Sequence, residues 1–224
     1  MTASRTSPLE TTWRAVAKQC RAQSGMAVPE RCDDRPVELD RLARLGIADV
    51  SGLPRFTVKG PSAADAVAAA GLPVPDAWFE PVATGPWSFV ARTGRSEFWI
   101  EGALGHELQP PPVALIFARQ DGSLLLAGSG LWALLAEVLA APIEPLDPDR
   151  GRLHFVQIAR VGCALMLRPG RAPAAQIWVD PTYAPYLGEV LHDLGQELGG
   201  GWVGVEVFEG ERLLPRTPAP ADGT

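Results

Sequence analysis

The chain has 224 residues, 46% of them apolar and 21% charged, with a formal net charge of -6. An ordinary apolar fraction with so modest a charge describes one soluble globular unit, or two small lobes sharing a core, and argues against intrinsic disorder. With 20 basic residues against 26 acidic ones there is no electrostatic footprint for phosphate, so no nucleic-acid partner is expected.

The opening MTASRTSPLE lacks an apolar export core. The longest apolar stretch, residues 131–141, is broken by Glu137 and falls far short of the ~20 residues that span a bilayer, so the expectation is a cytoplasmic protein without a membrane partner. Cys20, Cys32 and Cys163 are odd in number and lack CxxC spacing, which predicts three reduced thiols and neither a disulfide framework nor a zinc site.

Residues 1–7 and 213–224 read as tails, too small, polar and Pro-rich to offset their ordering entropy. A first helix is predicted over 9–23, with Leu9, Trp13, Val16 and Cys20 on one face, and a second over 37–45, ended by Gly46. Phe56 and Val58 alternate with Arg55, Thr57 and Lys59, the period of a half-buried strand. Ser62 then caps a short helix closed by Gly71, and strands at 87–91 and 97–101 flank the turn at Gly94.

The run Pro110, Pro111, Pro112 marks a lobe boundary, dividing an N-terminal lobe (8–110) from a ferredoxin-like α/β C-terminal lobe (111–212). Beyond it, 113–118 and 123–127 read as a hairpin about Asp121-Gly122. Ser129 then caps a helix whose Leu131, Leu134, Leu135, Val138 and Leu139 form one stripe. A second hairpin, 153–158 with 163–167, turns at Val161-Gly162 and is followed by a strand at 176–179. Asp180-Pro181 opens a helix carrying Leu187, Val190, Leu191, Leu194 and Leu198; Gly199 to Gly201 end it before a last strand at 202–208. Hairpins alternating with single helices predict an α+β chain with mainly antiparallel sheets and packed helices.

Chemical signatures are sparse. His106, His154 and His192 have no second ligand at metal spacing, and His192 reads as a solvated surface residue. The Gly128-Ser129-Gly130 turn lacks the spacing of a phosphate cradle, and Ser51 has no identifiable base. The segment IWVDPTYAPYLGEVLHDLG, residues 177–195, is richer, because it gathers Trp178, Asp180, Tyr183 and Tyr186 at one strand-to-helix junction. Two readings apply: a capped helix whose aromatic rings fill the sheet-helix corner, or a partner interface, since Tyr and Trp are enriched at protein contacts.

LGIADVSGLPRFTVKGPSAADAV, residues 45–67, resembles the signature near the start of the glycine-cleavage T-protein superfamily. ARTGRSEFWIE, LLLAGSGLWALLAEVL and the 177–195 segment resemble more specifically the gamma subunit of heterotetrameric sarcosine oxidase. The resemblance implies a two-lobed aminomethyltransferase-like, folate-binding fold used as a non-catalytic subunit. Its partners would be a flavin-bearing beta-type subunit and a T-protein-like alpha-type subunit of an oxidase that demethylates an N-methyl amino acid or methylated amine. FAD or FMN, NAD and tetrahydrofolate would then reside in the partners, with none bound by this chain alone. Where T-proteins carry a VNA-type segment and an aspartate used in folate chemistry, this chain has Ile100, Glu101 and Gly102, and the GYTGE-type and KGCY-type motifs are absent. No catalytic residue is carried over, and Glu101 reads as an exposed strand-end carboxylate. The alternatives are a stand-alone tetrahydrofolate-binding one-carbon transfer protein and, in third place, a scaffold that kept the fold and changed partners.

Overall fold

A computed structural model describes residues 5–85, 87–102, 113–140, 142, 151–168 and 173–211. The proline run, His106, residues 1–4 of the first tail and the whole of the second lie outside these residues. In chain order the elements are α1 (Glu10–Trp13), β1 (Gln19–Gln23), β2 (Met26–Arg31), α2 (Arg35–Leu45), β3 (Gly46–Asp49), β4 (Arg55–Lys59), α3 (Ala63–Ala69), β5 (Val82–Ala83), β6 (Phe89–Gly94) and β7 (Glu97–Glu101). They continue as β8 (Leu115–Ala118), β9 (Gly122–Ala127), α4 (Leu131–Val138), β10 (Leu153–Ile158), β11 (Val161–Arg168), β12 (Ala174–Val179), α5 (Ala184–Glu197), β13 (Gly201–Trp202) and α6 (Val205–Gly210).

A six-stranded sheet has the order β10-β11-β12-β9-β3-β13, a five-stranded one the order β5-β6-β7-β4-β8, and β1 with β2 forms a separate hairpin. Every pairing between these strands is antiparallel except β13 with β3, so the chain is α+β as the pattern predicts. Strand alternation sorts the core into layers. Leu124, Leu126, Leu165 and Ile177 of the large sheet pack on Leu131, Leu134 and Leu135 of α4 and on Leu187 and Leu191 of α5. The opposite face presents Ala164, Met166 and Trp178 to Phe89, Ala91 and Trp99 of the small sheet. The far face of the small sheet, with Val58, Val90, Phe98 and Ile100, closes on Ala63, Ala66 and Val67 of α3. The fold is therefore helices, sheet, sheet, helix, and the polar residues between the sheets are buried.

Several expectations are corrected. The first helix stops after one turn: Leu9 and Trp13 are buried, but Lys18 N–H donates to the Arg31 carbonyl and residues 19–23 pair with β2. Ser24 and Gly25, with φ of 47° and 79°, make the two-residue left-handed turn that a hairpin requires. The stretches 113–118 and 123–127 are strands but not a hairpin: β8 pairs with β4, whereas β9 lies between β12 and β3. Burial explains the divergence, because β9 is buried along its whole length and belongs in the middle of a sheet, while β8 has an exposed edge. The β10–β11 turn falls at Ala159 and Arg160 (φ 47° and 68°), two residues before the Val161-Gly162 predicted for it.

Neither Ser62 nor Ser129 caps a helix through its side chain; Ser129 Oγ instead donates to the Ala43 carbonyl at 3.0 Å. The helix predicted to open at Asp180-Pro181 begins at Ala184, because Asp180 Oδ1 accepts the Thr182 N–H at 2.8 Å and holds a separate turn. The last strand ends at Trp202 and gives way to α6: Gly204 N–H donates to Glu38 Oε1 at 2.7 Å, and a Cβ at Gly204 would lie 1.9 Å from the Glu30 carbonyl oxygen. His192 is half-buried against Trp202, not solvated, with ring centroids 5.9 Å apart. The sheets do not divide at residue 110: β3 precedes it and joins β9, and β8 follows it and joins β4.

Candidate functional site

β7 alternates Phe98 and Ile100 toward α3 with Trp99 and Glu101 toward the large sheet, and the β4–β7 register sets Arg55 opposite Glu101. Glu101 accepts from Arg55 Nε at 3.0 Å and Nη2 at 3.2 Å, from Gln176 Nε2 at 3.1 Å and from Trp178 Nε1 at 3.2 Å. The Arg55 and Glu101 side chains are 1% and 0% exposed. Arg55 Nη1 also donates to the Asp121 carbonyl at 2.8 Å, and Gln176 Nε2 to Ser123 Oγ at 3.0 Å. Gln176 Oε1 accepts from Arg168, whose guanidinium lies over the Trp87 ring at 4.7 Å. Burial lowers the Arg168 pKa to about 10, against the pull of Glu101, and leaves it a cation at neutral pH. A carboxylate so fully hydrogen-bonded is a structural anion and presents no lone pair to a substrate. The expectation of an exposed Glu101 is thereby overturned.

A second buried carboxylate ties in the N-terminal segment. Asp49 accepts from Trp13 Nε1 at 2.7 Å, from the Ser51 N–H at 2.8 Å and from Ser7 Oγ. Burial raises its pKa against those hydrogen bonds.

Beside Trp178 an open cleft of about 430 Å³ lies against β10 and β11. Gly162 and Ala164 line it, and a Cβ added at Gly162 would meet nothing within 4 Å. Arg119 sits on another side with its guanidinium 3.9 Å from the Trp99 ring centroid and bonded to both oxygens of Asp121 at 2.8 and 2.9 Å. Phe155, 60% exposed, and Asp180 also line it. The Thr182 N–H holds Asp180 below the usual carboxylate range, so the cleft combines aromatic edges, a stacked Arg–Asp pair and one ionised carboxylate. Such a surface suits a flat polar ring or an inserted partner side chain, and carries no activated nucleophile. Cys163, which also lines it, has its thiol pushed up to about 12 by burial.

The four residues predicted as an interface do not share one surface. Trp178 is 2% exposed and packs edge-on against Trp99 and Phe89, with centroids 5.1 and 6.0 Å away. Tyr183 and Tyr186, 55% and 49% exposed, stand at the start of α5, where Tyr186 Oη donates to the Ala159 carbonyl at 3.4 Å. Asp180 is exposed at the end of β12, between the two groups in sequence. Sequence reasoning missed Arg55, Arg119, Gln176 and Phe155. Arg55 stood within the DVSGLPRF run, but its partner lies 46 residues on. Among the described residues no group of three or more His, Cys, Asp or Glu could hold a metal, and no helix is long and apolar enough to cross a membrane.

No family model matches the sequence, and no curated protein does. Among solved structures, the glycine cleavage system aminomethyltransferase T from Bartonella henselae superposes with a TM-score of 0.65 over 94% of this chain and 62% of its own, at 18% identity. The fold is that of the aminomethyltransferases. A chain of the heterotetrameric sarcosine oxidase from Corynebacterium sp. U-96, solved in complex with pyrrole 2-carboxylate, shares this aminomethyltransferase fold with a TM-score of 0.60. It is also 18% identical, over 88% of this chain and 97% of that one. This chain thus spans 62% of the Bartonella protein but nearly the whole of the oxidase chain, which is of comparable length.

Proposed function

We propose that this chain is a non-catalytic, gamma-like subunit of a heteromeric sarcosine-oxidase-type complex, one that oxidatively demethylates an N-methyl amino acid or methylated amine and passes the one-carbon unit to tetrahydrofolate. The observation that carries this is the closure of Glu101: where the resemblance puts the VNA-type segment that leads to the aspartate of folate chemistry, this chain has a carboxylate that is fully buried and bound by Arg55, Gln176 and Trp178. The comparable length of the sarcosine oxidase chain supports the subunit reading. Tyr183, Tyr186 and Phe155 supply exposed aromatic surface for a T-protein-like alpha-type partner, and a beta-type partner carries the flavin. FAD or FMN, NAD and tetrahydrofolate belong to those partners, and the isolated chain is colourless and inactive.

The cleft beside Trp178 favours one second reading, a stand-alone tetrahydrofolate-binding protein, because its volume of about 430 Å³ lies in the ligand-site range of ~300–1,000 Å³. Calorimetric titration of the isolated chain with tetrahydrofolate separates the two. The subunit reading predicts no saturable heat alongside stable co-purification with flavin-bearing subunits; saturable binding without such partners would establish the alternative.

A further inference from the structure

A second cavity, of about 300 Å³, opens where α2, the end of β2, α5 and β13 meet; Arg41, Cys32, Asp33, His192, Gln196 and Trp202 line it. That volume corresponds to roughly ten water molecules at ~30 Å³ each. Two nitrogens on its lining residues lack a hydrogen-bond partner among the described residues: Trp202 Nε1 and His192 Nδ1. Trp202 is 1% exposed, and an indole nitrogen can only donate. A buried donor left unsatisfied forfeits its hydration without replacing it, so an acceptor is called for.

The rest of the lining specifies what kind of acceptor. Arg41 is fixed by two hydrogen bonds, Nη1 to the Trp202 carbonyl at 3.2 Å and Nη2 to Asp33 at 2.9 Å, so its charge is held at the cavity wall. Asp33 is met by two cations, Arg41 and Lys18 at 2.8 Å. Cys32 has its thiol pushed up to about 12 by burial and stays neutral. His192 Nδ1 donates whenever the ring carries a proton there, as it always does in the imidazolium form. An unsatisfied indole N–H, an unpartnered imidazole nitrogen and a fixed guanidinium match a small anion with two acceptor atoms, which favours the protonated nitrogen.

We infer that this cavity binds a small carboxylate between the Trp202 indole N–H, the His192 ring and Arg41. The site is separate from the cleft beside Trp178 and does not depend on the subunit reading.

Acetate and its uncharged counterpart acetamide test it on the full chain labelled with 15N-tryptophan, at ionic strength held constant with chloride. The Trp202 indole resonance is identified by its loss in Trp202→Phe. Acetate is expected to shift that resonance saturably and to move the His192 titration to higher pH, with acetamide giving less than a tenth of the effect. His192→Phe should weaken acetate at least tenfold, as should Gln196→Phe, which fills the cavity from an exposed position of α5 and leaves the three recognition groups in place. An absent shift, an equal response to acetamide, or undiminished binding in Gln196→Phe would each overturn the inference.

Discussion

Arg55 and Glu101 face each other at 3.0 Å with almost no exposure, so removing either leaves the other charged, buried and unpaired. Arg55→Met should destabilise the chain by about 3–5 kcal/mol in urea unfolding, while Arg55→Met combined with Glu101→Leu recovers much of that loss, because the desolvation cost leaves with the charges. A double variant no more stable than the single one would contradict this account of the central pair. His192 gives a pH dependence of definite sign. Burial holds its folded pKa below the ordinary 6.5, against an upward pull from Asp193 and with a lesser downward push from Arg41. The unfolded chain therefore takes up a proton near pH 6.5 that the folded chain refuses, and stability falls as pH drops from 6.5 toward the folded value. His154 is shifted the same way, so the decisive observable is the difference: His192→Phe should flatten, without abolishing, the fall in urea midpoint between pH 7.5 and 5.5.

At the scale of elements, the β10–β11 turn holds two non-glycine residues, Ala159 and Arg160, in left-handed conformation. Left-handed backbone costs such residues ~1–2 kcal/mol each, so Ala159→Asn with Arg160→Gly, the preferred pair for this turn, should stabilise the chain by about 1 kcal/mol in thermal or urea unfolding. The same hairpin shows what local sequence can and cannot say. Both strands were legible as a hairpin, but two consecutive left-handed residues without Gly or Asn leave no signal, and the turn was read at the glycine nearby. Likewise the leucine stripes of α4 and α5 announced two helices packed on a sheet. The partners of β8 and β9 did not show, because pairing with β4 and β3 is made across about 60 to 80 residues and leaves no trace in either strand. Of the aromatic rings read at one junction, Tyr183 and Tyr186 stand exposed at the start of α5, whereas Trp178, one strand-end earlier, alternates inward to Glu101.

Over the whole molecule, the DVSGLPRF run carries the most specific part of the resemblance and three buried polar residues, Asp49, Ser51 and Arg55. Asp49 anchors Trp13 and Ser7, Ser51 Oγ accepts the Ser123 N–H at 2.9 Å, and Arg55 seals Glu101. The fold class was therefore legible from residues whose roles were not: a motif shows that side chains belong together, but only the packed sheets show that they face inward. Between those sheets the T-protein-like fold is filled with Trp99, Trp178, Phe89 and the Arg55–Glu101 pair, so the proposed subunit role rests on the exposed surface. The most direct test is purification of the chain with its native partners, followed by mass measurement of the complex and its absorption spectrum. The account predicts a stable complex with a flavin spectrum that loses this chain when Tyr183→Asp and Tyr186→Asp are combined, the variant chain itself remaining folded. Full oxidase activity from a complex that lacks this chain would contradict it.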